Sequence, residues 1–252
     1  MLAKRIIPCL DTIGENVVKG KSFENLEIIG PAKYFAKKYE EEGADEIVLL
    51  DITATLENRK TFLKLVSDVA KELFIPLTVG GGIRTIEDIR ELLRAGADKV
   101  SINTSAVLNP FLINESSREF GSQCIVIAID AKKISNNKWE VYIKSGKQPT
   151  GIDLRDWIIE VERRGAGEIL LTSIDADGHK KGYDLELLEF ASSLINIPLI
   201  ASGGAGSLED LYNACIAGAD AVLAASIFHY GEYSVKEVKK YLADRNILIR
   251  SV

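Results

Sequence analysis

Hydrophobic and polar positions follow two alternating patterns along the chain. Short apolar runs rich in Val, Ile and Leu recur at strand length, and longer amphipathic stretches lie between them. Runs that are apolar on both faces are typical of strands buried in a parallel sheet. The predicted strands cover residues 5–11, 46–52, 75–80, 99–104, 124–130, 168–173, 197–202 and 221–226.

The stretches between these runs have the period of helices. Residues 85–95 carry Ile86, Ile89 and Leu92 on one side, and residues 234–244 close the series. Eight strands, each followed by a helix, predict an α/β fold of the (β/α)8 TIM-barrel class. We expect a single barrel domain over residues 1–252.

An internal repeat supports this prediction. IPLTVGGGIRTIEDIRELLRAGADKVSINT (75–104) aligns without gaps to IPLIASGGAGSLEDLYNACIAGADAVLAAS (197–226), with 12 of 30 positions identical. GADEIVLLDI and GAGEILLTSI match at the same offset of 122 residues, and IPCLD matches IAID at an offset of 119. The repeat predicts a twofold barrel with half-barrels of about 1–122 and 123–252.

Glycine turns leave the third and seventh predicted strands, at the end of a barrel where active sites lie. Capping-box patterns start the next helices at Thr85 and Ser207, so those helices satisfy their own first amides. Binding amides are therefore expected in the turns and in the loops after the next strands, at 103–104 and 225–226. For either glycine pair alone, a tight turn is the better interpretation. The duplicated context instead favours two phosphate sites, the second aided by amides at 177–178.

Two carboxylates stand at equivalent positions of the repeat. Asp11 ends the first strand and Asp130 ends the fifth, and alternation puts Asp11 on the same face as Cys9 and Arg5. Paired carboxylates divide acid and base roles when their surroundings separate their pKa values. An ordinary aspartate is a poor acid at neutral pH, so one pKa should be raised by burial. The alternative is that each carboxylate caps a loop.

Composition excludes several other classes of function. The chain is 46% hydrophobic and 27% charged with a net charge of −6, and it has no basic tract, so nucleic acid is an unexpected partner. No apolar stretch is long enough for a membrane helix and the start does not resemble a signal peptide, so we expect a cytoplasmic protein. The two histidines lack metal-ligand spacing, and Cys9, Cys124 and Cys215 are expected to be buried thiols, so neither metal nor cofactor is predicted.

Taken together, the motifs resemble the cyclase subunit of imidazole glycerol phosphate synthase, in histidine biosynthesis. The resemblance covers essentially the whole chain and rests on KRIIPCLD, VVKG, FENL, LDITA, TVGGGI, GADKVSINT, AIDAK, GAGEILLTSID, DG…GYD, IASGGAG and LAAS. It implies a lyase that uses ammonia from a partner glutaminase, in a heterodimer, to convert a diphosphate substrate, phosphoribulosyl-formimino-AICAR phosphate. The products are imidazole glycerol phosphate and AICAR.

The resemblance also assigns residues. It implies that Asp11 and Asp130 are catalytic. The implied phosphate-binding positions are Gly82, Asn103, Thr104, Asp177, Gly178, Gly204, Ala225 and Ser226. Lys19, expected in the loop after the first strand, would meet a phosphate or the reacting centre, or remain solvated.

Charged residues stand at the opposite ends of the strands. Arg5, Glu46, Lys99 and Glu168 lie at strand starts, where inward charges are costly unless they are paired. From the residues alone, they are interpreted as a stabilising ring of salt bridges. The resemblance instead implies an ammonia gate, with Asp98 near the docking face for the glutaminase.

The chain departs from the family pattern at Gly14-Glu15-Asn16 and at His179, which bear on loop motion and on phosphate contacts. Three alternatives remain: the neighbouring isomerase of the same pathway, a paralogue that delivers ammonia to a modified-sugar pathway, and a non-catalytic binding barrel. The stretch IPCLD…VVKG and the charged strand starts favour the cyclase over the isomerase. The presence of Asp11 speaks against the paralogue, and the presence of both Asp11 and Asp130 speaks against the non-catalytic barrel.

Overall fold

The structure is a computed structural model that describes residues 2–21, 24–52 and 59–251. Its strands are β1 (Arg5–Ile13), β2 (Asn16–Lys21), β3 (Glu24–Pro31), β4 (Ile47–Asp51), β5 (Leu77–Gly80), β6 (Lys99–Ile102), β7 (Ile125–Ser135), β8 (Lys138–Ile143), β9 (Gln148–Asp153), β10 (Glu168–Ser173), β11 (Leu199–Ser202) and β12 (Ala221–Ala224). Its helices are α1 (Ala32–Glu41), α2 (Arg59–Ala70), α3 (Ile86–Ala95), α4 (Thr104–Leu108), α5 (Phe111–Phe120), α6 (Leu154–Arg163), α7 (Leu185–Ser192), α8 (Leu208–Ile216), α9 (Ser226–His229) and α10 (Val235–Ala243).

The fold class is a (β/α)8 barrel, as the sequence predicted. Its eight parallel strands are β1, β4, β5, β6, β7, β10, β11 and β12. By chain contacts the molecule forms two compact units. The first unit comprises Ala3–Ser101 with the residues from Leu223 onward, and the second comprises Ile102–Val222.

Within each unit the parallel strands pair in a fixed register. In the first unit β1 pairs with β4, β4 with β5 and β5 with β6. In the second unit β7 pairs with β10, β10 with β11 and β11 with β12. Most of their residues are buried, as expected for strands covered on both faces.

Elements also repeat in order between the two halves of the sequence. A hairpin, β2–β3, follows β1, and a second hairpin, β8–β9, follows β7. The second hairpin ends at Asp153, directly before α6. The loop expected after the first strand is wrong, because residues 16–21 and 24–31 form strands there.

The helix starts match their sequence signals. Thr85 and Ser207 each make a reciprocal capping box with the aspartate three residues later, which confirms both predictions. Ser234 caps α10 in the same way. Among the described residues, no helix combines the length and the apolarity that a bilayer crossing requires.

Candidate active site

Asp11 lies in β1, at the end of the strand that the sequence predicted. Its carboxylate Oδ2 is 3.6 Å from the ammonium Nζ of Lys19, and the Cys9 thiol is 3.7 Å from its Oδ1. The contact with Cys9 confirms that the two side chains share a face of β1. Asp11 is thus a partly buried carboxylate with a cation beside it.

Lys19 is not in a loop, contrary to expectation. It lies in β2, where it pairs with Glu27 of β3, and its side chain is mostly buried. The hairpin holds the ammonium near Asp11, whereas a loop lysine would stay in solvent. The signal in the sequence is a pair of β-branched residues in each strand, Val17-Val18 and Ile28-Ile29, since such residues favour strands.

Asp130 lies in β7 of the second unit, in different surroundings. Burial raises the pKa of its carboxyl to about 6, and the negative charge of Asp177 acts in the same direction. The Asn103 side-chain amide and the Gly146 backbone amide donate to the carboxylate, and these bonds oppose part of the rise in pKa. The raised pKa that acid catalysis requires is therefore present at one of the two aspartates.

The turn between β8 and β9 covers this carboxyl group. Lys144, Ser145 and Gly146 all have positive φ, of 55°, 57° and 72°. The amide of Lys144 donates to the Thr104 hydroxyl at 3.0 Å, which ties this strained turn to the start of α4.

The short helices α4 and α9 follow the last strand of each repeat. Their N-cap residues, Asn103 and Ala225, make no side-chain cap, in contrast with the capping boxes of α3 and α8. Both have similar unusual backbone angles, with φ −114° and ψ −94° at Asn103 and φ −123° and ψ −72° at Ala225. The two positions thus have the same local geometry, as the repeat predicted.

Close backbone packing explains why several positions in the two turns are glycine. A Cβ on Gly81 would lie 2.2 Å from the Asp51 carbonyl oxygen, and one on Gly204 would lie 2.1 Å from that of Gly182. Gly82, Gly203 and Gly204 have positive φ as well. The tight-turn interpretation therefore explains the glycines, and phosphate binding is not needed to account for them.

Asp177 and Gly178 lie in the loop after β10, in the second unit with Gly204. The Gly182 amide donates to the Gly204 carbonyl at 2.9 Å, so this loop packs on the glycine turn. A cavity of about 400 Å³ opens beside it, lined by Ser173, Asp175, Ala176, His179, Lys181, Gly182, Tyr183 and Asp184. Ala225 and Ser226, expected at the same phosphate, belong to the first unit.

At the strand starts of the first unit, three charges are joined. The Glu46 carboxylate Oε2 accepts from Arg5 and from Lys99, each at 2.8 Å. Its Oε1 accepts from the Thr78 hydroxyl at 2.6 Å, a contact that the sequence analysis missed. Glu168 is buried at the start of β10 in the second unit.

Asp98 is exposed, as a docking residue should be, but its carboxylate also has a structural partner. It accepts from the Leu77 amide at 2.8 Å, and its counterpart Asp220 accepts from the Leu199 amide at 3.1 Å. The same contact in both repeats indicates a role in joining adjacent strands, so docking stays a prediction.

Two further expectations from the sequence concern the cysteines and metal ligands. Cys9 and Cys215 are buried as predicted, while Cys124 is partly exposed, which corrects the expectation for that residue. Cys124 precedes β7 at the end of a short turn, outside the covered part of the strand. Within the described ranges, no group of three or more His, Cys, Asp or Glu side chains has the arrangement of a metal site.

Comparisons with known proteins give a consistent result. The family of histidine biosynthesis proteins matches residues 5–234. Proteins named imidazole glycerol phosphate synthase subunit HisF are 70% identical in Dictyoglomus turgidum, 60% in Dehalococcoides mccartyi and 56% in Helicobacter hepaticus. Each alignment covers 99% of this chain and 99% of the relative.

Proposed function

Since the chain belongs to the family of imidazole glycerol phosphate synthase subunits HisF, of histidine biosynthesis, we propose that it carries out the cyclase reaction of that enzyme. Ammonia reacts with phosphoribulosyl-formimino-AICAR phosphate, and the products are imidazole glycerol phosphate and AICAR. The ammonia comes from a partner glutaminase subunit, with which the chain forms a heterodimer.

Asp11 and Asp130 are the acid–base pair of this proposal, and their contrasting surroundings carry it. Because burial raises the pKa of Asp130 to about 6, this residue keeps a useful protonated fraction near neutral pH and acts as the acid. The Lys19 ammonium lies 3.6 Å from the carboxylate of Asp11, which acts as the base. Symmetric carboxylates would have no such division of roles.

The phosphates of the substrate bind to backbone amides of the two repeats. The proposed positions are Gly82, Ala225 and Ser226 in the first unit and Asn103, Thr104, Asp177, Gly178 and Gly204 in the second. The absence of side-chain caps on α4 and α9 supports this assignment, because a cap would occupy the amides that a phosphate requires. The glycines contribute to these sites in two further ways: they pack closely against neighbouring backbone, and they adopt positive φ.

Ammonia enters past the charged strand starts, with Arg5, Glu46, Lys99 and Glu168 as the gate. A single carboxylate, that of Glu46, accepts from both cations, so a change at Glu46 would remove one contact from Arg5 and one from Lys99. Glutaminase docks on the face that includes Asp98. A gate role is separable from catalysis, because free ammonia should bypass it.

The experiment is turnover of purified protein with ammonium salt and the ribulosyl substrate, followed by loss of the formimino chromophore. Asp11→Asn and Asp130→Asn should each lower kcat by about 10²- to 10⁴-fold while substrate affinity changes little. Asp68→Asn, which removes a carboxylate on the outer face of α2, is the matched control and should leave kcat unchanged. Full activity of either site variant would refute the acid–base assignment.

Direction of proton transfer is tested by the pH profile, with rates corrected for the fraction of unprotonated ammonia. Activity that depends on protonated Asp130 should fall as pH rises above about 6. In Asp130→Asn this fall should be absent from the residual rate. A fall of the same size in that variant would assign the acid role to another group.

A further inference from the structure

Two buried polar rings in the first unit have no role in the proposed reaction. The Tyr39 hydroxyl in α1 lies 2.7 Å from the Nδ1 of His229 in α9, and both side chains are almost fully buried. The rings are stacked with centroids 5.9 Å apart, and Phe35 and Phe228 pack around them. This packing fixes the imidazole in one orientation.

The direction of the hydrogen bond follows from the charge states. Burial lowers the pKa of His229 to about 4, helped by the positive charges of Lys19 and Lys38, so the imidazole is neutral near pH 7. Burial also raises the pKa of Tyr39, which keeps its proton. The hydroxyl therefore donates to Nδ1, and the imidazole proton is on Nε2.

The other side of the imidazole faces the catalytic strand. His229 interacts with the Cys9 backbone in β1, two residues before Asp11, and its Nε2 has no partner of full hydrogen-bond geometry among the described residues. Lys19 is close enough for its charge to act on the ring, and the same ammonium lies 3.6 Å from Asp11. A neutral ring leaves this ammonium free to pair with Asp11, whereas a protonated ring would repel it.

His229 is also the last residue of α9, the short helix whose start, Ala225–Ser226, is expected to hold a phosphate. Its backbone amide donates to the Ala225 carbonyl at 3.0 Å, and Ser226 is the first residue of the same helix. His229 thus joins three features of the first unit: its backbone amide contacts the start of α9, and its imidazole interacts with the backbone of β1 and with the ammonium of Lys19.

We propose that His229, oriented by the Tyr39 hydroxyl, is a positioning residue that links the Ala225–Ser226 turn to the Lys19–Asp11 pair. The inference rests on the proposed function, because it assigns a task to Asp11 and to the turn. It is specific to the first unit, since the position equivalent to His229, 122 residues earlier, is Val107. The second unit instead uses Asn103 to contact its aspartate.

The first test removes one hydroxyl from α1. Tyr39→Phe should lower kcat about tenfold, the loss expected for one buried hydrogen bond that orients the site, with less than about a threefold change in KM. Tyr34→Phe is the matched control, because it removes the same group from an exposed position on the same helix. An unchanged kcat in Tyr39→Phe, or an equal loss in Tyr34→Phe, would overturn the proposal.

A second pair of variants separates positioning from packing. His229→Asn keeps an acceptor for the Tyr39 hydroxyl, whereas His229→Leu fills the site without one. Positioning predicts a higher kcat for Asn than for Leu while the Tyr39 hydroxyl is present. It predicts no difference in kcat in the Tyr39→Phe background, where Leu should have the higher Tm because it leaves no buried polar group unpaired. If kcat follows Tm in these variants, the histidine is only a core residue and the proposal fails.

Asp11→Asn, measured alongside, distinguishes the two failures. If Asp11→Asn retains full turnover, the acid–base assignment itself is wrong. If Asp11→Asn is inactive while Tyr39→Phe matches the unmodified protein, only the positioning role is wrong.

Discussion

The two units place an aspartate at the same point of the repeat and give it different neighbours. Asp11 has the Lys19 ammonium 3.6 Å away, while Asp130 is desolvated and contacts the amide of Asn103. The position of Asn103 corresponds to Ala225 in the other repeat, so that contact has no equivalent beside Asp11. The scaffold is duplicated, and single side chains differentiate the two acids.

A second difference lies at the strand starts. Asp45 in the first unit accepts from the Ile6 amide at 2.9 Å and from Lys239 at 2.7 Å. Its counterpart is Gly167, where a Cβ would lie 2.0 Å from the Ser122 carbonyl oxygen. One unit uses a buried ion pair at this position, and the other uses direct backbone packing.

The largest effect on stability is expected where that ion pair is broken. Lys239→Met leaves Asp45 buried without its buried cation, which should lower the free energy of unfolding by about 3–5 kcal/mol. Arg250→Met is the control, because Arg250 also binds Asp45 but is more than half exposed, and it should cost roughly 1 kcal/mol. Equal losses in urea unfolding would show that the buried pair has no special role.

The glycine turns give the next comparison. Gly81 and Gly203 are equivalent and both have positive φ, but a Cβ would lie 2.2 Å from the Asp51 oxygen in one and 2.9 Å from the Ser173 oxygen in the other. Gly81→Ala should therefore cost about 3 kcal/mol and Gly203→Ala about 2 kcal/mol. Gly14→Ala, with positive φ and open space around it, measures the conformational strain alone, about 1 kcal/mol. A loss at Gly14 as large as that at Gly81 would contradict the packing explanation.

Stability should depend on pH in opposite ways through the two units. The lowered pKa of His229 stabilises the fold above pH 6.5, and this contribution, about 3 kcal/mol, is lost as pH falls towards 4. The raised pKa of Asp130 acts in reverse: the fold loses about 2–3 kcal/mol as pH rises from about 4 through 6.

Urea unfolding between pH 4 and 8 checks both slopes. Asp130→Asn should be more stable than the unmodified protein at pH 8 and similar to it at pH 4. His229→Gln should lose less stability than the unmodified protein as pH falls from 6.5 to 4. Parallel curves for all three proteins would mean that neither group has a shifted pKa.

Much of the fold was predictable because its signals are local. All eight barrel strands are confirmed, with ends displaced by up to five residues, and β7 extends to Ser135 because it pairs with β8. The hairpin after β1 was missed because its strands are short and follow a glycine turn. The placement of Lys19 was wrong for the same reason.

Only those features of the site that recur in both repeats were predictable from the sequence. Asp11 and Asp130 were identified by equivalent position, but the difference between their environments depends on Asn103 and Lys19, which are distant from them in sequence. The link between Tyr39 and His229 joins residues 190 positions apart, and no pattern within either segment indicates it.

The smallest expected effect tests the comparison of the two acids most directly. The Asn103 amide donates to the Asp130 carboxylate and holds its pKa below the value that burial alone would produce. Asn103→Ala should therefore raise the pKa of Asp130 further, on the order of one unit, because a hydrogen bond to a charged group is worth about 1.5–3 kcal/mol in a buried site and less where solvent enters.

Carbon-13 NMR of the Asp130 carboxyl group measures this shift without reference to turnover. Asn109→Ala is a suitable control, since Asn109 ends α4, whereas Asn103 begins it. An unchanged pKa in Asn103→Ala would mean that burial and Asp177 alone set the acidity of Asp130. The two acids would then differ because of the burial of each carboxylate and the sign of its nearest charge. The presence of Asn103 in one repeat, where the other has Ala225, would not contribute.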